Sequence, residues 1–407
     1  MTDLLKTLAV LAILVVLLRR KMYIGTVMGI GALILALLYL TPPARFLEGV
    51  YRASMAPKSL EMTAMLVFTM IMENILRKTG TLKKMVESLS EILPDSRMIM
   101  AAMPAMIGML PSPGGAVFSA PMVGEASSHL EIGADQKAFI NYWYRHIWEY
   151  VSPLYPGIIL VSGLTHIPFR KLALANAPFA LSVVFWGALF CFTGIGSAQV
   201  PRREEMGKGK AAAAGTFAWT VAPILLTLVL VVILGVNPVV AMGGVTVALY
   251  AIHRYPPAKV WESLRESVSA KALFLVIGIM VFQETLRVTG ALDGVSRFFA
   301  ESGLPPYLVL FALPFLAGLM TGLTIAYVGI TFPILMPLMG GATPSLGLLA
   351  LAFGSGFAGV MLSPVHLCLV LTREYFNADM ARVYHRLWAP SALVLAAALV
   401  PLCLARS

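Results

Sequence analysis

Uncharged, mostly apolar stretches of about 20 residues recur along the whole 407-residue chain, and no motif in it narrows the fold as much. A bilayer core about 30 Å thick is crossed by about 20 such residues in a helix, whose backbone N–H and C=O groups satisfy one another away from water. Spans are expected near 3–18, 22–41, 61–77, 138–165, 171–196, 213–234, 236–253, 271–287, 345–372 and 386–404. Ten spans imply an all-α polytopic membrane protein of the cell (inner) membrane, with lipid as its surroundings. The first span is short and carries Lys6, which can snorkel. No convincing small-residue cleavage site follows Arg19-Arg20-Lys21, so it is kept as a span. Charged residues are 12% of the chain, against about 25% in soluble domains, which excludes a soluble globule. Cys191, Cys368 and Cys403 are odd in number and sit in apolar runs, so neither a disulfide framework nor a zinc-ligand cluster is expected. The net charge of +10 is scattered between apolar blocks with no basic, aromatic-lined stripe, which argues against a nucleic-acid partner.

Two further uncharged blocks, 98–124 and 304–340, are interrupted near their middles by Pro111-Ser-Pro-Gly-Gly115 and Thr321-Gly-Leu-Thr324. Each half is about 13 residues, or about 20 Å of helix, too short to cross. Either each block is a re-entrant hairpin or it is one kinked helix. Basic residues separate the two readings. With the N-terminus outside and both blocks re-entrant, cytoplasmic segments hold 20 Lys and Arg and outer segments 9, leaving Arg145 inside a span. If both blocks crossed, the division would be 15 against 14 and the positive-inside asymmetry would vanish. Re-entrant hairpins are therefore expected, with both termini outside.

The chain also reads as duplicated. Leu76-Arg-Lys-Thr-Gly80 matches Leu286-Arg-Val-Thr-Gly290 at an offset of 210, which carries Pro104 onto Pro314 and Gly108 onto Gly318. Pro42-Pro-Ala-Arg45 matches Pro256-Pro-Ala-Lys259, and Ser152-Pro153 matches Ser363-Pro364. Order and near-constant offset together outweigh the weakness of each match. Residues 1–196 form a first repeat, 197–212 a cytoplasmic linker and 213–407 a second repeat. Five spans per repeat is an odd number, so the second enters the membrane inverted. Inverted repeats with interrupted helices are the construction of secondary transporters.

Ser112-Pro113, Ser152-Pro153 and Ser363-Pro364 all fall at expected helix interruptions. Proline suits the first helical position and serine before it can cap, so each dipeptide is expected to start a half-helix. The N–H groups and positive dipole end at such a break favour an anion, while carbonyls ending the preceding half favour a cation. One such dipeptide is more simply a packing kink, but three at symmetric places favour a binding cradle. Arg145-His146 and Glu149 are the one ionisable cluster within a span. Spacing of four allows an internal Arg145–Glu149 ion pair, and a role in binding stands level with it. His366 is either a proton-linked group or, preferably, a side chain satisfied by a neighbouring carbonyl. Glu73 and Glu284 are expected to pair with Arg77 and Arg287, and Tyr142-Trp143-Tyr144 to pack or anchor.

Five-span repeats, each with a hairpin and a later broken span such as Ser363-Pro-Val-His-Leu-Cys368, resemble the ion transporter superfamily over essentially the whole chain. That group includes divalent-anion:sodium symporters, gluconate and lactate permeases and tripartite dicarboxylate permeases, and the chain is similar to a ten-span prokaryotic branch of it. The resemblance implies a homodimer and elevator-like movement of the hairpin domain. The dicarboxylate symporters carry Ser-Asn-Thr at both hairpin tips, where Pro-Ser-Pro-Gly-Gly and Thr-Gly-Leu-Thr stand here. By position, Ser112, Gly114 and Gly115 with Ser152, and Thr321, Gly322 and Thr324 with Ser363, take the places of the tip and break residues. The expectation is secondary transport of a small anionic organic substrate coupled to Na+ or H+, with no other cofactor. A channel, or an inorganic-ion exchanger of the same fold, is the alternative. An enzyme is not expected: no H-E-x-x-H or Walker A sequence occurs, and Ser355 and His366 would lie about 16 Å apart on an unbroken helix.

Overall fold

The computed structural model describes residues 2–20, 22–112, 115–195, 209–267, 270–294, 297, 303–341 and 343–398. Among them the protein is all-helical, without a strand. Helices lie in every expected span as far as it is described, residues 399–404 of the last lying outside the described residues: Thr2–Arg19, Ile24–Leu38, Pro57–Lys78, the pair Ala134–Arg145 and Pro156–Thr165, Phe169–Phe190, Lys210–Leu228 continued by a π turn to Ile233, Pro238–Ile252, Ala270–Val288, the pair Leu346–Met361 and Leu367–Phe376, and Met380–Ala396. By length and composition, three helices can cross a membrane: Pro57–Lys78, Phe169–Phe190 and Lys210–Ile233. Several others are shorter and apolar. The tip residues Pro113 and Gly114 and most of the linker lie outside the described residues.

Local chemistry places the helix ends. Proline occupies the first turn of Pro43–Met55, Pro57–Lys78, Pro156–Thr165, Pro238–Ile252 and Pro306–Thr321, where its missing N–H has no partner to lose. Gly80 and Gly290, closing the two Leu-Arg-x-Thr-Gly copies, both adopt positive φ, 69° and 72°. Each is a left-handed stop after its helix. Asp95 caps Ser96–Ile107 by accepting from the Arg97 N–H at 2.8 Å, and hydrogen bonding from the Arg97 side chain holds its carboxyl below the ordinary range. Lys6 places Nζ 4.5 Å over the Tyr39 ring.

Both interrupted blocks form helix pairs, Ser96–Ile107 with Gly115–Ala126 and Pro306–Thr321 with Thr324–Met339. Ser96–Ile107 packs on Ala134–Arg145, and Pro306–Thr321 on Leu346–Met361. Across the chain, Gly115–Ala126 packs on Leu367–Phe376 and Thr324–Met339 on Pro156–Thr165. Ile24–Leu38 lies against Ala270–Val288, and Pro238–Ile252 against Pro57–Lys78. Each of these contacts has a counterpart in which the two halves exchange roles. A close approach joins Pro306–Thr321 to Leu346–Met361: a Cβ on Gly318 would stand 2.1 Å from the Gly356 carbonyl, and one on Gly359 2.1 Å from that of Phe315. Small residues let backbones touch where no hydrophobic force drives helices together.

Candidate functional site

Two helix breaks, the flanks Ser112 and Gly115 of the first hairpin tip and the second tip come together around Arg145 and His366. In the first break the helix ends at Arg145, a 3-10 turn covers Trp148–Tyr150, and helix resumes at Pro156. In the second, the helix ends at Met361 and resumes at Leu367. Neither resumed helix has a side-chain cap at its N-cap residue, Tyr155 or His366. Pro153 and Pro364 therefore precede their half-helices by three residues, correcting the expectation that they occupy the first helical position. The serines do cap, but within the turn: Ser152 Oγ accepts from Leu154 N–H at 3.3 Å and Ser363 Oγ from Val365 N–H at 3.4 Å. Pro153 is buried and Pro364 exposed.

Arg145 is 4% exposed. Its Nη2 donates to the Ser112 carbonyl at 2.7 Å, while Nε and Nη1, both buried, have no hydrogen-bond partner among the described residues. Gly115 makes room for it, because a Cβ there would stand 2.6 Å from Nη2 and 2.5 Å from Ser112 Oγ. The Arg145–Glu149 ion pair does not form. Since the helix stops at Arg145, spacing of four no longer puts the two on one face, and Glu149 turns instead to Thr324, whose hydroxyl donates to Oε2 at 3.1 Å. Its Oε1 lies 3.7 Å from His146 Nε2.

His366 has the expected carbonyl partner, with Nδ1 2.6 Å from the Gly322 oxygen. It also has one not foreseen: its Nε2 lies 3.0 Å from His146 Nε2, across 220 residues of sequence. His146 Nδ1 in turn reaches the Tyr142 carbonyl at 2.6 Å. Gly322 holds the left-handed cap of Pro306–Thr321 at φ 64° and packs on the second break, so that a Cβ would stand 2.9 Å from His366 N and Cα. Cys368 completes the cluster: its sulfur and one nitrogen of each histidine all lie within 4.8 Å of one another, and all three residues are buried. Cysteine spacing, which offered no zinc-ligand cluster, reports only local sets, whereas these three side chains come from two distant breaks.

The structure thus brings together Ser112, Gly115, Arg145, Glu149, Gly322, Thr324, Ser363 and His366. Thr321 turns its hydroxyl back to the Ala317 carbonyl at 2.7 Å, and Ser152 serves its own turn. His146 and Cys368 escaped the sequence-based site. The signal for them was present, an Arg-His at one break and a His-x-Cys at the other. Asn141 ties the walls together, donating to the Ala116 carbonyl at 3.1 Å and Thr372 Oγ1 at 3.0 Å. Trp143 is packing, 1% exposed with Nε1 donating to the Val183 carbonyl. Ser355 bonds the Leu310 carbonyl. Glu284 pairs with Arg287 at 2.6 Å, whereas Glu73 forms no ion pair with Arg77.

Compared with known proteins, residues 3–405 match the model of a family described as a protein of unknown function, DUF401, and the chain belongs to that family. No curated protein matches it.

Proposed function

We propose that this family member is a secondary active transporter in the cell (inner) membrane, carrying a small organic anion coupled to Na+ or H+. The reading includes two inverted repeats of five spans plus a re-entrant hairpin, elevator movement of the hairpin-bearing part, membership of the ion transporter superfamily, and a homodimer. One observation carries it: a buried guanidinium, two of whose nitrogens have no partner among the described residues, where both breaks meet. An unpaired charge at that depth is costly, and a planar carboxylate satisfies it with two parallel charge-assisted hydrogen bonds. The uncapped starts of Pro156–Thr165 and Leu367–Phe376 add positive dipole ends of the kind that attract anions. The exchanged helix contacts and the paired left-handed glycines support duplication. No covalent chemistry is assigned to the site.

The test is uptake of a panel of small carboxylates by reconstituted protein under an imposed Na+ or pH gradient. Saturable uptake with counterflow is expected, abolished by Arg145→Gln. Full uptake by correctly inserted Arg145→Gln protein would overturn the anion site, and flux without saturation or counterflow would replace the carrier with a channel.

A further inference from the structure

The contact between His146 and His366 cannot be made by two neutral imidazoles. Each Nδ1 lies 2.6 Å from a backbone carbonyl oxygen, and a carbonyl only accepts, so each Nδ1 carries its ring's hydrogen. Both Nε2 atoms are then bare lone pairs, and they face each other at 3.0 Å. A shared cation, either a proton or a metal ion, relieves that opposition, and the Cys368 sulfur beside the two nitrogens adds the soft donor that suits a metal.

We propose that His146, His366 and Cys368 bind a divalent transition-metal ion of the Zn2+ class, with the Glu149 carboxylate beside it. Two nitrogens about 2.05 Å from one ion are about 2.9 Å apart at a right angle and about 3.3 Å apart at a tetrahedral one, so their 3.0 Å separation suits a shared metal. Imidazole and thiol donors favour Zn2+, Co2+ or Ni2+ over Na+, Mg2+ or Ca2+, which prefer oxygen. Nδ1–H donation to a backbone carbonyl is the outer-shell bond that orients metal-binding histidines, and here both rings have it. The surroundings are dry: the Tyr142 ring stands edge-on to both imidazoles at 4.7 and 5.5 Å, and Phe357 lies 6.2 Å from His146. Glu149 Oε1 stands 3.7 Å from His146 Nε2 at the edge of the cluster. The ion would tie the first break, through His146, to the second break and the Gly322 tip.

The experiment needs neither an anion nor a gradient, so its failure is distinct from failure of the transport reading. Purified full-length protein in detergent is stripped with a chelator and titrated with Co2+. One Co2+ per chain is expected, with visible d–d bands and a near-ultraviolet thiolate-to-cobalt band, both displaced by Zn2+. Cys368→Ser should remove the charge-transfer band, and His366→Gln should weaken binding about tenfold or more. Cys191→Ser and His385→Gln should change neither. The small Cys368→Ser replacement keeps the test sound even if a histidine variant fails to fold. Absence of stoichiometric Co2+ binding by the wild type, as a proton-only histidine pair would give, overturns the proposal. So does a spectrum that Cys368→Ser leaves unchanged.

Discussion

Arg145 shows what a residue reveals in sequence and what it withholds. A charge inside an apolar run is visible at once, because burying it needs a reason. Its partner is not, because the i,i+4 rule assumes a helix that in fact ends at Arg145 itself. The structure gives Glu149 to Thr324 and leaves two guanidinium nitrogens without a partner among the described residues, which changes the expected outcome of neutralising the pair. Two buried charges that satisfied each other would recover function when both were removed. Here Arg145→Gln should abolish anion uptake, and adding Glu149→Gln should not restore it. Wild-type uptake by the inserted double variant would return the two residues to a structural pair. Gly115→Ala offers a gentler probe, since its Cβ would occupy space 2.6 Å from Nη2. Expression should hold while the KM for the anion rises about tenfold, the cost of about 1.4 kcal/mol of lost alignment. Cys368 was illegible for a different reason: its donor partner His146 is more than 200 residues away, and only the folded breaks bring them together.

At the scale of elements, the sequence located the breaks well and described their insides less well. Ser152-Pro153 and Ser363-Pro364 lie at interruptions, because proline forbids an unbroken helix and serine offers a replacement acceptor. Yet both resumed helices start three residues beyond the proline, after a turn that the hydroxyls of Ser152 and Ser363 close. Replacing either serine with alanine should therefore cost about 1 kcal/mol of stability and weaken transport by disturbing the turn, read as kinetics at normal expression. Unchanged transport in both would make the turns packing features only. Tight packing of the second hairpin was also hidden, since small residues in an apolar run do not announce their partner. Gly359→Ala would drive a Cβ to 2.1 Å from the Phe315 carbonyl, a backbone atom that cannot rotate away. Overpacking of this kind costs about 1–3 kcal/mol, so the thermal midpoint of the purified protein should fall. Gly29→Ala, whose Cβ meets nothing within 4 Å, should leave it unchanged or raise it slightly. Equal midpoints for the two variants would deny the close approach.

For the whole molecule the decisive quantity is which ends lie on the same side, and the polar contacts between distant segments speak to it. Lys78 pairs with Glu266 at 2.5 Å, and Arg386 with Asp135 at 2.6 Å. Ser96 meets His129 at 3.0 Å across the ends of the first hairpin, and Arg45 and Arg52 share a groove with Glu284 and Arg287. With both interrupted blocks re-entrant, every one of these contacts joins segments assigned to one side: the first three cytoplasmic, the groove outer. If the blocks crossed, each would join residues on opposite sides of a core about 30 Å thick, which no side chain spans. Charge counting and contact geometry are independent, one resting on insertion and the other on packing, and both favour the same topology. Single cysteines provide the measurement. In a background carrying Cys191→Ser and Cys403→Ser, Gly209→Cys should react with an impermeant maleimide only from the cytoplasm and Thr343→Cys only from outside. Crossing blocks would put both positions outside, so labelling of the two from the same face would overturn the re-entrant hairpins and the inversion of the second half with them.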